Sequence, residues 1–264
     1  MAKFLHDEWL YDLQNYHYSR ALRSIKQQEE VPDLLVSLLQ LMAERRELNI
    51  QPVMNQKLRT ELLEATGFQL FWHEDPEDEQ LANYLYDLEA KLRNEQIIDF
   101  VRAVSPAIYR IFMRLIQLKI PDITNYIHNS KESSYDRWKF ESLHASDNPI
   151  LQQFHSESVV NSSSLTELIV QLDLPDTVKV AAQQLRELEK SVRNRELEKS
   201  VRNPLAHLIK PFDEEELHRT TGFSSQDFMK NLIDLASYTG IHYDQVNFYF
   251  DQANAVMEEL LKEK

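Results

Sequence analysis

The chain has no cysteine. Disulfides and thiolate metal sites are therefore excluded, and the composition fits a cytoplasmic protein. Glycine is almost as scarce, with only Gly67, Gly222 and Gly240. A loop that cradles phosphate needs glycines at fixed offsets, so a dinucleotide-binding sheet or a phosphate-binding loop is not expected. Each glycine falls where a helical pattern stops, as a C-terminal cap would. No apolar run approaches the roughly 18 residues of a membrane-spanning helix. The opening stretch from Met1 to Glu8 lacks the pattern of a signal peptide. No G-x-S-x-G, H-E-x-x-H or Walker motif occurs. Positive charge is short as well, at 29 Lys and Arg against 43 Asp and Glu, a net −14. Such a chain has little general affinity for duplex DNA, and it can act on RNA only if its cations gather in one cleft.

What remains is a globular composition, 42% hydrophobic and 27% charged over 264 residues, enough for a substantial core and two domains. The expected fold class is all-α. Apolar residues recur at helical spacing over 7–28 (Trp9, Leu13, Tyr16, Ala21, Ile25), over 33–48 behind Pro32-Asp33, and over 54–66 up to Gly67. The run from His73 to Glu79 reads as a solvated acidic linker and not as a metal site, because nothing in it imposes ligand geometry. Helices follow over 79–93 and 95–119, the latter kinked or broken at Pro106. Residues 128–163 read as loops with short helical pieces around Trp138 and Ile150. Ser164-Leu165-Thr166-Glu167 has the form of a capping box. A long helix is expected over 176–202, another over 226–239 capped by Ser225, and a last one capped by Asp244 with Val246 in its apolar stripe. Tyr16 and Tyr18 read as packing residues, not as platforms for bases.

Residues 186–194 and 195–203 both spell RELEKSVRN. Nine residues advance a helix by about 900°, so the two copies face opposite ways. The extra nine residues are expected to form a bulged or disordered segment, or not to be native.

The second copy runs into Arg202-Asn203-Pro204-Leu205-Ala206-His207. An arginine can hold a phosphate, and a histidine five positions on can move a proton near neutral pH. Spacing alone is weak: 15 arginines, nine histidines and three allowed gaps give roughly 1.5 chance hits. Arg137 and His144 make a second such pair, which lacks a polar residue after the arginine and reads as surface. Arg193-Asn194 has no histidine at the right distance. The first hit gains from Asn203 beside the arginine and from Pro204, which breaks the helix. The bland reading of Arg202 and His207 is a solvated helix end, a cation near the C-terminal dipole.

Arg202-Asn203-Pro204-Leu205-Ala206-His207 resembles the R-N-x-x-x-H motif of HEPN ribonucleases. Leu13-Gln14-Asn15-Tyr16-His17-Tyr18-Ser19-Arg20-Ala21-Leu22 is similar to a segment in the helical connector of the ancillary CARF–HEPN ribonucleases of type III-A CRISPR systems. Val101-Arg102-Ala103-Val104-Ser105-Pro106-Ala107-Ile108-Tyr109 resembles the opening of their HEPN domain. The resemblance implies a helical connector over 1–97 and a HEPN-type bundle over 98–264. It implies metal-independent cleavage of single-stranded RNA, in antiviral defence, with Arg202 and His207 catalytic and Asn203 supporting. No cofactor and no metal are implied. The family's CARF domain binds cyclic oligoadenylate, and nothing here is strand-rich or glycine-bearing enough to be that domain, so the chain reads as the carboxy-terminal half.

On an unbroken helix Arg202 and His207 stand about 140° apart and converge poorly. Either Pro204 starts a new helix or two subunits share one cleft, and a homodimer is expected. The rival class is a non-catalytic helical interaction module, such as the partner of a toxin.

Overall fold

The computed structural model describes residues 2–28, 30–128, 136–201 and 213–262, and within these the side chains of 2–7, 192–201 and 220 are not described. Thirteen α-helices are formed by the described residues: α1 Ala2–Gln14, α2 Tyr18–Ile25, α3 Asp33–Arg46, α4 Gln56–Thr66, α5 Pro76–Arg93, α6 Ile97–Gln117, α7 Phe140–His144, α8 Pro149–Gln153, α9 Ser162–Ile169, α10 Asp176–Val201, α11 Glu214–Thr221, α12 Ser225–Tyr238 and α13 Tyr249–Lys262. Two strands of two residues each, β1 Ile127–His128 and β2 Arg137–Trp138, pair antiparallel. The fold is all-α.

By contacts the chain divides into two compact units, 1–96 with 241–264, and 97–240. The first crossing falls beside the residue-97 boundary expected from the sequence. The sequence reading kept 98–264 together, whereas the contacts place 241–264 with the first unit.

In the first unit α13 packs against α1, α3 and α5. Its core is strongly aromatic. Tyr86 stacks on Tyr249 with ring centroids 4.7 Å apart, and Phe250 lies among Tyr16, Tyr18 and Tyr86. Tyr16 and Tyr18 are buried packing residues, as expected. The Tyr18 hydroxyl donates to Asn254 Oδ1 at 2.9 Å and that of Tyr16 to Asp251 Oδ1 at 2.9 Å. The single helix expected over 7–28 is instead two helices. Tyr16 has φ of +58°, a left-handed conformation that ends α1; the bonds its hydroxyl makes hold it there.

The acidic stretch is not the solvated linker the sequence suggested. Asp75 caps α5 by accepting from the Glu77 amide at 2.7 Å, with Pro76 at the first helical position. Glu79 then lies one turn in and is completely buried. Its carboxylate accepts from Arg45 Nη2 at 2.7 Å and from the amides of Trp72 and His73 at 3.1 Å each. Arg45 is equally buried and also donates to Leu70 O and Asn83 Oδ1, with its guanidinium 4.6 Å from the Tyr249 ring centroid. Periodicity could not show this, because the acid's partner lies 34 residues upstream.

In the second unit α6, α9, α10 and α12 pack on one another, with α11 against α10 and α12. Pro106 does not break α6. Val104, Ala107, Ile108, Ile111 and Phe112 are buried around it, and their burial outweighs the roughly 3 kcal/mol a mid-helix proline costs. The capping box opens three residues earlier than expected: Asn161 caps α9 and Ser164 is its N3 partner. Ser224, not Ser225, caps α12. In the first unit, Asp244 makes a turn with the amides of Val246 and Asn247, α13 starts five residues later, and Val246 is 88% exposed. Trp138 sits in a strand, not in a helix; Arg137 also bridges Val159.

The described part of the repeat, through Val201, lies in an unbroken helix. α10 runs through both copies as far as Val201, which overturns the expected bulge. Glu, Leu, Lys and Arg are strong helix formers and no Gly or Pro interrupts them before Pro204, so no local force favours an irregular turn.

Candidate functional site

α10 is anchored by the buried side chains of Val178, Ala182, Leu185 and Leu188. Their spacing of four, three and three is the core-facing stripe of a helix. Arg186 Nε on the adjoining face donates to Ser163 Oγ at 3.2 Å, tying α10 to the first turn of α9. α10 is described as far as Val201, and the chain is next described at Asp213, which caps α11 by accepting from the Glu216 amide at 3.0 Å. The candidate residues Arg202, Asn203 and His207 lie between these two points, outside the described residues. Neither their mutual distance nor their convergence enters the structure.

Two carboxylates stand on the elements that bracket this segment. Glu189 on α10 is buried, and its Oε2 has no hydrogen-bond partner among the described residues. Glu214 opens α11; its Oε1 accepts from the Ser225 amide at 2.7 Å and its Oε2 is buried without a partner among the described residues. A shallow groove of about 240 Å³ runs along α10 between Val180, Gln184 and Leu188 and the Thr221–Phe223 turn. Tyr109, in the patch that resembles a HEPN opening, donates to Asp136 Oδ2 at 2.8 Å. Burial and the Asp136 carboxylate push its pKa up, so it stays a neutral donor.

The second arginine–histidine pair is not a site of that kind. Arg137 is on β2, opposite His128, and His144 ends α7 beside His155, with ring centroids 5.1 Å apart. Arg137 and His144 are both exposed, as expected. Sequence reasoning missed the His144–His155 pair, because a spacing of eleven residues across two short elements carries no periodic signal. Among the described residues no group of three or more His, Cys, Asp or Glu is placed to hold a metal ion, and no helix is long and apolar enough to cross a membrane.

Comparison with known proteins adds two findings. Residues 70–258 match the model of the Cas_Csm6 HEPN domain. Among solved structures, the chain is similar to Csm6 of Enterococcus italicus, described as bound to cyclic hexa-2'-fluoro-hexa-dAMP, with a TM-score of 0.60 and 13% identity. The match covers 98% of this chain and 57% of that one, so this chain spans little more than half the length of that relative. No curated protein matches. The family match spans well over half of the sequence and contains the Arg202–His207 motif: the chain belongs to the Csm6 HEPN family of CRISPR-associated proteins.

Proposed function

We propose that this chain is a metal-independent endoribonuclease that cuts single-stranded RNA in CRISPR antiviral defence. The observation that carries the reading is the position of Arg202-Asn203-Pro204-Leu205-Ala206-His207 inside the family match, directly after the helix α10 that the second unit holds by its buried stripe. In this proposal residues 1–97 are the helical connector and 98–264 the HEPN domain; the family match begins on the connector side, at residue 70.

The ribose 2'-hydroxyl attacks the adjacent phosphorus, and the 5'-oxygen leaves. The products are a 2',3'-cyclic phosphate and a 5'-hydroxyl, so no water is consumed in this step. His207 takes the hydroxyl proton or supplies one to the leaving oxygen, a role suited to an imidazole that titrates near pH ~6.5 when unperturbed. Arg202 stabilises the charge that develops on the phosphoryl oxygens. Asn203 orients the histidine. Two copies of the chain bring their motifs to a shared cleft, which compensates for the divergence of a single motif on one helix. Cyclic oligoadenylate acts through a CARF domain that these residues do not supply, so the chain alone shows basal activity.

The deciding experiment compares cleavage of a labelled single-stranded RNA by the chain and by His207→Ala, with circular dichroism as the folding control. Loss of cleavage with retained fold supports the enzyme. Equal cleavage refutes it, and no cleavage by either leaves the non-catalytic interaction module as the reading.

A further inference from the structure

We propose that His144 and His155 form a two-histidine site for a late first-row divalent cation, Zn²⁺ or Cu²⁺, on the surface of the second unit. The site uses neither Arg202 nor His207, and the cleavage chemistry proposed above does not draw on it.

The argument starts from the ring nitrogens. His144 Nε2 lies 3.1 Å from the Phe154 carbonyl oxygen, and His155 Nδ1 lies 2.7 Å from the Gln153 carbonyl oxygen. A carbonyl oxygen only accepts, so each of these nitrogens carries the proton. In the neutral imidazoles the other nitrogens, Nδ1 of His144 and Nε2 of His155, then hold bare lone pairs. Histidines that bind metal commonly use this arrangement: the far N–H is spent on a carbonyl or carboxylate, which fixes the tautomer and raises the basicity of the ligating nitrogen. Here two rings so prepared lie side by side.

Their spacing fits one ion. A Zn–N bond of about 2.0–2.1 Å plus about 1.1 Å from nitrogen to ring centre puts each centroid about 3.2 Å from the metal, and a tetrahedral angle then separates the centroids by about 5.2 Å. The observed separation is 5.1 Å, with ring planes 33° apart. Phe140 packs on His144 at 5.9 Å, so the pair is held partly in place. Both histidines are exposed, which leaves a path for the ion.

The contrast with His73 is instructive. That ring donates Nδ1–H to Glu79 at 3.0 Å and accepts the His242 amide on Nε2 at 2.9 Å. Both its nitrogens are spent, and it has nothing left for a metal. With no third acidic, cysteine or histidine ligand placed among the described residues, water completes the shell at the pair. Imidazole ligands favour Cu²⁺, Ni²⁺ and Zn²⁺ over Mn²⁺ and Mg²⁺, so the site does not compete for the ions abundant around RNA.

The test is calorimetric titration of the untagged, chelator-stripped chain with Zn²⁺, and separately with Cu²⁺ followed by electron paramagnetic resonance. One equivalent should bind through nitrogen ligands. His144→Gln and His155→Gln should each weaken that event about tenfold or more, and the double variant should lose it. His128→Gln, an exposed histidine elsewhere on the unit, should leave it unaltered. The ion should raise the melting temperature of the parent chain and not that of the double variant. No binding to the parent, or the same isotherm in the double variant, overturns the proposal. Because no RNA is present, that result says nothing about cleavage.

Discussion

Arg45 and Glu79 meet at 2.7 Å with both side chains wholly buried. The pair lies within the core of the first unit, and each partner also satisfies other groups. Arg45 donates to Leu70 O and Asn83 Oδ1, and Glu79 gathers two backbone amides and the His73 ring. Burial by itself raises the Glu79 pKa, but the bonds from His73 and the charge of Arg45 overcome it and hold the carboxyl below its usual range.

Removing one partner strands the other as a buried charge. Arg45→Met and Glu79→Gln should each destabilise the chain by about 3–5 kcal/mol, read as a lower urea midpoint. The sign with pH follows from the lowered folded value. The stabilisation is complete above the unfolded carboxylate pKa of about 4.3 and is lost as pH falls through the folded one. Stability of the parent should therefore drop more steeply below about pH 4.3 than that of Glu79→Gln. Parallel curves would show that the carboxylate is not ionised in the core.

Gly67 ends α4 with φ of +73° and donates its amide to Leu63 O at 2.9 Å. Beyond Gly67 and its chain neighbours, no atom of the described residues lies within 4 Å of the place a Cβ would occupy, so the cost of a side chain is conformational and not steric crowding. Gly67→Ala should lower stability by about 1 kcal/mol, and Gly67→Asn by less, since asparagine tolerates the left-handed region. Equal losses for the two variants would point to a different cause.

The continuity of α10 makes a distance prediction. Gln183 and Val201 are eighteen residues apart, which is five turns and about 27 Å of rise on an unbroken helix. The chain has no native cysteine, so Gln183→Cys with Val201→Cys gives a clean pair for spin labels. A single distance near that value supports a helix through both copies of RELEKSVRN. A shorter or broad distribution means that the repeat is looped out.

Much of the fold was legible, and the reasons for the misses are physical. Helices with a clean stripe and a strong stop, such as α3 and α4, read correctly from Leu38, Leu39 and Gly67. The all-α class followed from that periodicity. The left-handed Tyr16 was hidden because its conformation depends on contacts with Phe248, Phe250 and Asp251, more than 230 residues away. Glu79 was misread as solvated for the same reason, since a charged residue reveals its burial only through its partner. At the candidate site, Arg202, Asn203 and His207 were named from their spacing, from Asn203 and Pro204 beside the arginine and from the HEPN resemblance, and they lie outside the described residues, while the His144–His155 pair was invisible because its proximity is tertiary.

The last prediction concerns cleavage. Single-stranded RNA should be cut in the presence of a chelator, because the motif supplies an arginine and a histidine and no carboxylate cluster to hold an ion. Arg202→Ala and His207→Ala should each lower the rate by about 10²-fold or more. Arg193→Ala should change it little, since the first copy of the repeat has no histidine at the right distance, and His128→Ala should do the same. If His207 is the base, the rate should fall at low pH, because a protonated imidazole cannot accept the hydroxyl proton. DNA lacks the attacking 2'-hydroxyl and should survive. Product analysis should find a 2',3'-cyclic phosphate, and mixing Arg202→Ala with His207→Ala should restore part of the activity if the two copies share a cleft. Chelator-sensitive cleavage, or equal cutting of DNA, would mean that a metal-bound water and not the ribose is the nucleophile.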